Sequence, residues 1–178
     1  MEIYVIRHTE VNIPKGICYG QSDVNIQSNH RIDFEKIKAS IPDDIDAFIT
    51  SPLSRCVQLC QYLSDSFLMD ERLMECNFGD WELLPWDDIP RHEMDVWGND
   101  FVYQSPPNGE SLHQISKRVI DIHQEILQQS YDKIVVVTHA SVVRVFHHIY
   151  QNIPLENIFD VKVNFGEVFK FSTKSNSE

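Results

Sequence analysis

Positive charge is scarce in this sequence. Fifteen Lys and Arg stand against 27 Asp and Glu, giving a formal charge of −12 over 178 residues. Nucleic acid and anionic membranes are held by clustered Lys and Arg, so neither is an expected partner. Long apolar runs are lacking as well, and none approaches the roughly 20 residues of a membrane span. The first residues show no basic start, apolar stretch and small-residue cleavage site of a signal peptide, so the expected compartment is the cytoplasm. Four cysteines occur, Cys18, Cys56, Cys60 and Cys76, without a Cys-x-x-Cys pair. Cys56 and Cys60 share a helix face, a spacing open to two metal ligands, but small buried thiols are the simpler reading. Free thiols also suit a reducing compartment. His-x-His, His-Glu-x-x-His and Gly-x-Ser-x-Gly are all missing, which removes the usual signatures of zinc sites and serine hydrolases. No metal and no cofactor is implied.

The chain does have enough apolar residues, 42%, to build a substantial core. Its length fits one domain, taken as residues 1–173, with a polar tail at 174–178. Strand-like runs at 2–7, 45–51 and 133–140 alternate with helical patterns at 30–40, 51–65 and 110–129 and one that follows the last strand to about 150. Leu68-Met69 is a short strand candidate. In the second helical pattern Ser51 is placed as N-cap with Pro52 at the first helical position. Residues 9–28 form a long loop of the kind that is usually functional. Residues 72–109 read as short helices and loops forming a lid. "FDVKV" and "EVFKFST" are expected to pair as an antiparallel hairpin across Asn164-Phe165-Gly166. The alternation argues for a three-layer α/β/α sandwich with a mostly parallel central sheet and an antiparallel edge.

In such sheets ligands bind beyond the carboxyl ends of the strands. Here those ends read Arg7-His8, Ser51 and Thr138-His139, so they should share one pocket. An imidazole at a strand end can ligate metal, act as a base or attack an electrophile. Its companions are Arg7, Arg55 and His139, and guanidiniums match phosphate oxygens. A cationic pocket around an imidazole suits phosphoryl transfer to nitrogen, where negative charge spreads over the equatorial oxygens.

Six motifs then resemble the histidine phosphatase superfamily, the phosphoglycerate mutase-like family, and occur in its order. They are "RHT" at 7–9, "YGQSD" at 19–23, "SPLSR" at 51–55, "LMECNFGDWE" at 73–82, "PNGES" at 107–111 and "VVTHASVVR" at 136–144. The resemblance implies a phosphoglycerate mutase-like fold, a small-molecule phosphate ester as substrate and no metal requirement. It implies His8 as the nucleophile that becomes phosphohistidine, and Arg7, Arg55 and His139 as the rest of the phosphate pocket. It implies Glu75 as the acid that protonates the leaving oxygen. Tyr19 and Gly20 fall in the substrate loop. The loop "KGICYGQSDV" together with "FGDWE" most resembles the α-ribazole phosphatases, which remove the 5′-phosphate of α-ribazole phosphate in cobalamin assembly. Only 63 residues separate Glu75 from His139, too few for the insertion carried by the family's cofactor-dependent mutases. The alternatives are a phosphoglycerate mutase, a broad sugar-phosphate phosphatase, or a non-catalytic module that binds phosphorylated ligands.

Two positions depart from the family pattern. Thr9 replaces the usual Gly after the nucleophile. Pro14 stands where the family often has a phosphate-contacting Asn, and offers neither N–H nor side-chain donor; Asn12 is the nearby substitute. His30, His92, His113, His123, His147 and His148 read as hydrogen-bonded surface residues. Trp81, Trp86 and Trp97 read as packing, "WDDIPRHEMD" as a solvated helix face, and Arg144 as an ion-pair or substrate residue.

Overall fold

The computed structural model describes residues 1–173; the polar tail assigned to 174–178 lies outside the described residues. Its strands are β1 (Glu2–Arg7), β2 (Ala47–Thr50), β3 (Leu68–Met69), β4 (Lys133–Thr138) and β5 (Val168–Ser172). The helices are α1 (His30–Ala39), α2 (Ser54–Leu63), α3 (Arg91–Asn99), α4 (Leu112–Leu127) and α5 (Ala140–Gln151). The sheet order is β3-β2-β4-β1-β5, with β5 alone antiparallel to its neighbour.

Side-chain alternation builds the layers, because successive residues of a strand face opposite sides. Ile3, Val5, Ile134 and Val136 join one core with α4 and α5 residues such as Val119, Ile122 and Phe146. Tyr4, Ile6, Val135 and Val137 join a second core with Phe34 and Ile37 of α1 and Cys56, Leu59 and Cys60 of α2. The central strands are buried on both faces, hence their unbroken apolar sequence. The result is the expected α/β/α sandwich. Helix α4 begins with a complete capping box, Ser111 Oγ accepting from Gln114 N–H while the Gln114 side chain accepts from Ser111 N–H. Such a cap is worth about 1 kcal/mol.

Register brings the polar strand ends together. Arg7 lies opposite Thr138, and Thr50 lies opposite Val137. The next residue on each strand, His8, His139 and Ser51, therefore emerges at the same edge.

Two expectations are corrected. Residues 159–163 form no strand. A 3-10 helix spans Leu155–Asp160, and the following carbonyls face arginines: Val161 O accepts from Arg144 Nε and Val163 O from Arg7 Nη1. The antiparallel edge exists, but β5 pairs with β1 instead. Ser51 and Pro52 likewise do not start α2. Leu53 is its N-cap, in extended conformation, and the N–H of Ser54 donates to the Asp23 carboxylate at 2.9 Å.

The region 72–109 holds short 3-10 turns and α3, as expected, around a small core of Cys18, Trp81 and Ile89. Trp81 is buried against Trp97 and donates to Glu93, so packing accounts for it. Among the described residues no helix is long and apolar enough to cross a membrane, and no cluster of His, Cys, Asp or Glu could hold a metal ion. All four cysteines are free and buried.

Candidate active site

His8 and His139 are buried at the shared strand edge, ring centroids 5.1 Å apart and edge to face. His8 Nδ1 lies 2.7 Å from the carbonyl of Thr9. A carbonyl only accepts, so Nδ1 carries the proton and Nε2 keeps its lone pair. Burial pushes the His8 pKa well below its usual range, and the charges of Arg55 and Arg7 add to this, outweighing the Thr9 hydrogen bond. The imidazole is thus neutral and nucleophilic at Nε2.

The tautomer of His139 is set from the other side. Leu53 N–H points at Ser51 Oγ at 3.4 Å, which leaves the hydroxyl proton free for His139 Nε2, 2.8 Å away. Neutral His139 then carries its proton on Nδ1. Its pKa is also pushed well below the usual range, by burial first and then by His8, Arg55, Arg118 and Arg7. The nearby Cys56 thiol is raised by burial and stays protonated.

Two guanidiniums complete the site. Arg55 is fully buried and donates to Gly20 O at 2.6 Å and Ser22 O at 2.9 Å. Arg7 donates to Val163 O at 2.7 Å and lies flat on Phe165, 3.7 Å from the ring centre. Neither pairs with a carboxylate among the described residues. The Nε of each, and the Thr9 hydroxyl, are buried without a protein partner. Buried charge is costly unless it is matched, so this edge is built to receive an anion.

Glu75 sits at the start of α5. Its Oε1 accepts from Cys76 N–H at 2.9 Å and from Ser141 N–H at 3.3 Å. Oε2 has no hydrogen bond among the described residues and is the oxygen free for proton transfer. Its backbone carbonyl is clamped by Gln21 Nε2 and Arg118 Nη2. Glu110 forms a 2.6 Å ion pair with Arg118 and accepts from Asn77 N–H.

Tyr19 borders the site, its ring centre 5.3 Å from the Arg55 guanidinium carbon. Gly20 sits behind it, with φ +41° and with the backbone carbonyl oxygen of Cys76 2.8 Å from where a Cβ would stand. Only glycine fits there. Asn12 is exposed, and its N–H pairs with Asn25 O. Arg144 makes no ion pair among the described residues; it donates to Val161 O and faces Phe159.

Sequence reasoning missed two groups. Glu82 accepts from the N–H groups of Gln21, Ser22 and Phe78 and from the Ser22 hydroxyl, at 2.6–3.1 Å. It thereby fixes the loop whose carbonyls aim Arg55. The turn at 163–167 grips the other arginine: Gly166 N–H donates to the carbonyls of Arg7 and His8, and Glu167 O accepts from Arg7 N–H. The signal for Glu82 was its place at the end of "FGDWE". The turn itself was expected at Asn164-Phe165-Gly166, as a hairpin loop, but nothing local marked its hold on Arg7, because Arg7 and Val163 lie 156 positions apart.

The family model described as histidine phosphatase superfamily (branch 1) matches residues 3–177. The chain belongs to that superfamily. Among curated relatives, a protein named provisionally as phosphoserine phosphatase 2 of Hydrogenobacter thermophilus is 24% identical, covering 91% of this chain and 84% of its own. A 2,3-bisphosphoglycerate-dependent phosphoglycerate mutase of Cytophaga hutchinsonii is 25% identical, covering 97% of this chain and 88% of its own. The α-ribazole phosphatase of Shigella flexneri has the same fold, with a TM-score of 0.89 at 23% identity over 98% of this chain and 91% of that one.

In this histidine phosphatase, Glu82→Gln keeps the size of the side chain but replaces one accepting oxygen by donors. The loop behind Arg55 should loosen, raising KM for a phosphate ester about 10-fold or more, on the scale of a lost charge-assisted hydrogen bond. Steady-state kinetics check this, with circular dichroism as the control for folding. An unchanged KM would detach Glu82 from Arg55.

Proposed function

We propose that the protein is a phosphomonoesterase that hydrolyses a small-molecule phosphate ester through a phosphohistidine on His8. The observation that carries this reading is the free lone pair of His8 Nε2, buried beside two guanidiniums that lack carboxylate partners. A phosphate monoester brings the missing negative charge. In-line attack by Nε2 on phosphorus forms the P–N bond and breaks the P–O bond to the leaving group. Arg7, Arg55 and the Nδ1–H of His139 balance the charge on the equatorial oxygens. Glu75 Oε2–H gives its proton to the departing alkoxide. Water then attacks phosphohistidine, Glu75 takes its proton, and orthophosphate leaves with His8 neutral again. His8 never needs to bind a proton, which suits its buried setting.

Water as the final acceptor is favoured by the 63 residues between Glu75 and His139, which leave no room for an inserted segment that would retain a bisphosphate. The mutase relative keeps transfer to a second substrate as the alternative. Within the phosphatase reading, α-ribazole 5′-phosphate is the proposed substrate, on the resemblance of the loop at 15–24 and of "FGDWE". The reaction is proposed to need no metal, since the cationic charge comes from Arg7 and Arg55.

An alkaline denaturing quench during turnover of a phosphomonoester should trap acid-labile, base-stable phosphate on His8, located by peptide mapping at alkaline pH. Label on a serine, or full activity in His8→Ala, would overturn the reading. The role of Glu75 has its own test. Glu75→Gln should slow phosphorylation by an alkyl phosphate about 10²–10⁴-fold, the usual worth of general acid catalysis. Phosphorylation by p-nitrophenyl phosphate, whose leaving group needs no proton, should slow far less. Equal losses in single-turnover measurements would leave Glu75 a positioning role only. Glu110, locked to Arg118, would be a poor replacement.

A further inference from the structure

The proposed acid, Glu75, is fastened to its own main chain. Its Oε1 accepts from the N–H of Cys76, the next residue, so the carboxylate follows the backbone at 75–76. That backbone belongs to no helix or strand. Residues 75–78 lie between the 3-10 turns Glu71–Leu73 and Gly79–Trp81. Their N–H and C=O groups must find partners outside regular structure. The aim of Oε2 at a leaving oxygen therefore depends on what holds this segment.

One ion pair supplies much of that hold. Arg118 Nη1 donates to Arg72 O at 2.6 Å, and Nη2 donates to Glu75 O at 3.1 Å. Arg118 Nε and Nη2 also donate to the two Glu110 oxygens, at 3.1 and 2.6 Å, the two-pronged pairing of a planar guanidinium with a carboxylate. Glu110 Oε1 in turn accepts from Asn77 N–H at 2.9 Å, and Glu110 N–H donates to Asn77 O at 2.8 Å. The main chain is thus gripped at Glu75 and on both sides of it. The pair itself is mounted on rigid structure. Glu110 directly precedes Ser111, whose capping box fixes the start of α4, and Val119, next to Arg118, is packed in the core. With side chains only 17% and 16% exposed, the pair is not the loose surface kind that contributes little.

We propose that Arg118, braced by Glu110, is the positioning residue of the acid: it fixes the main chain at Glu75 and so sets the reach of Oε2 to the departing oxygen. This role rests on the phosphohistidine reading and adds to it a residue that takes no part in proton transfer. A lysine would keep the charge but not the planar fork that holds two carbonyls and a carboxylate together. Keeping the charge matters, because Arg118 also acts on His139 through its charge.

Arg118→Lys therefore isolates the geometry. Single-turnover phosphorylation of His8 is measured with p-nitrophenyl phosphate and with the faster of two alkyl esters, α-ribazole 5′-phosphate and ribose 5-phosphate. The alkyl ester should react about 10-fold more slowly than with the parent protein, since misplacing a catalytic group by an ångström costs up to about 10²-fold. p-Nitrophenyl phosphate should slow far less, and the half-saturating concentration of both esters should stay the same. The ratio of the two rates is taken within each variant, so a loss of folded protein cancels. Glu110→Gln, which breaks the two-pronged brace, should shift the ratio in the same direction. In a Glu75→Gln background Arg118→Lys should shift it no further, because the donor it positions is gone. Equal slowing of both esters by Arg118→Lys, a ratio untouched by either single variant, or an undiminished shift in the Glu75→Gln background would overturn the role of Arg118 and leave the phosphohistidine reading standing. A ratio indifferent to Glu75→Gln itself would remove Glu75 as the acid and Arg118 with it. If neither alkyl ester phosphorylates His8, the reading beneath both falls.

Discussion

Two guanidiniums without a carboxylate partner, Arg55 fully buried and Arg7 half-buried, are the constraint on which the rest of the site depends. In a chain with a formal charge of −12, acidic partners are plentiful, and Arg72, Arg91 and Arg118 all have them. Arg7 and Arg55 are held by backbone carbonyls instead. A carbonyl orients a guanidinium without cancelling its charge. The positive charge therefore stays available, and it adds to the burial that pushes the pKa values of His8 and His139 down. Electrostatics thus link two needs that would otherwise conflict, a cationic pocket for phosphate and an unprotonated nitrogen to attack it.

Much of the surrounding structure serves that arrangement. Glu82 spends a carboxylate on the loop that aims Arg55, one step removed from the charge itself. The turn at 163–167 closes over Arg7 and His8 with backbone hydrogen bonds and a phenyl ring. Ser51 accepts from the N–H of Leu53 and turns its hydroxyl proton to His139, fixing that tautomer. Each is a local loss of regular structure in exchange for orientation at the sheet edge, and such departures from local rules are typical of functional sites.

The fold was legible where periodicity was strong. β1 and β4 read as apolar runs because both faces are covered, and their parallel register was enough to bring His8 and His139 together. His8, His139, Arg7 and Arg55 stood out as candidates because each follows or opens a readable element, whereas Glu75 was a candidate through the family motif alone. The hairpin placed at 159–172 was misread for a physical reason. "FDVKV" has the pattern of a strand, but Val161 and Val163 lend their carbonyls to arginines. The cap at Ser51 was misread because the helix starts later, where the N–H of Ser54 is met by the Asp23 carboxylate 31 positions away. Contacts of that range leave no mark on local sequence, and neither did the part played by Phe165.

The central claim is that burial between uncompensated cations holds His8 neutral, with its proton on Nδ1. Titration of the His8 imidazole by ¹⁵N and ¹³C NMR tests it directly, in the free protein and with inorganic phosphate. The account predicts a neutral Nδ1–H ring in the free protein as pH falls through 6.5 and well below, and an upward shift of the His8 pKa when phosphate supplies the missing negative charge. A His8 that titrates at or above 6.5 without phosphate, or that carries its proton on Nε2, would contradict it.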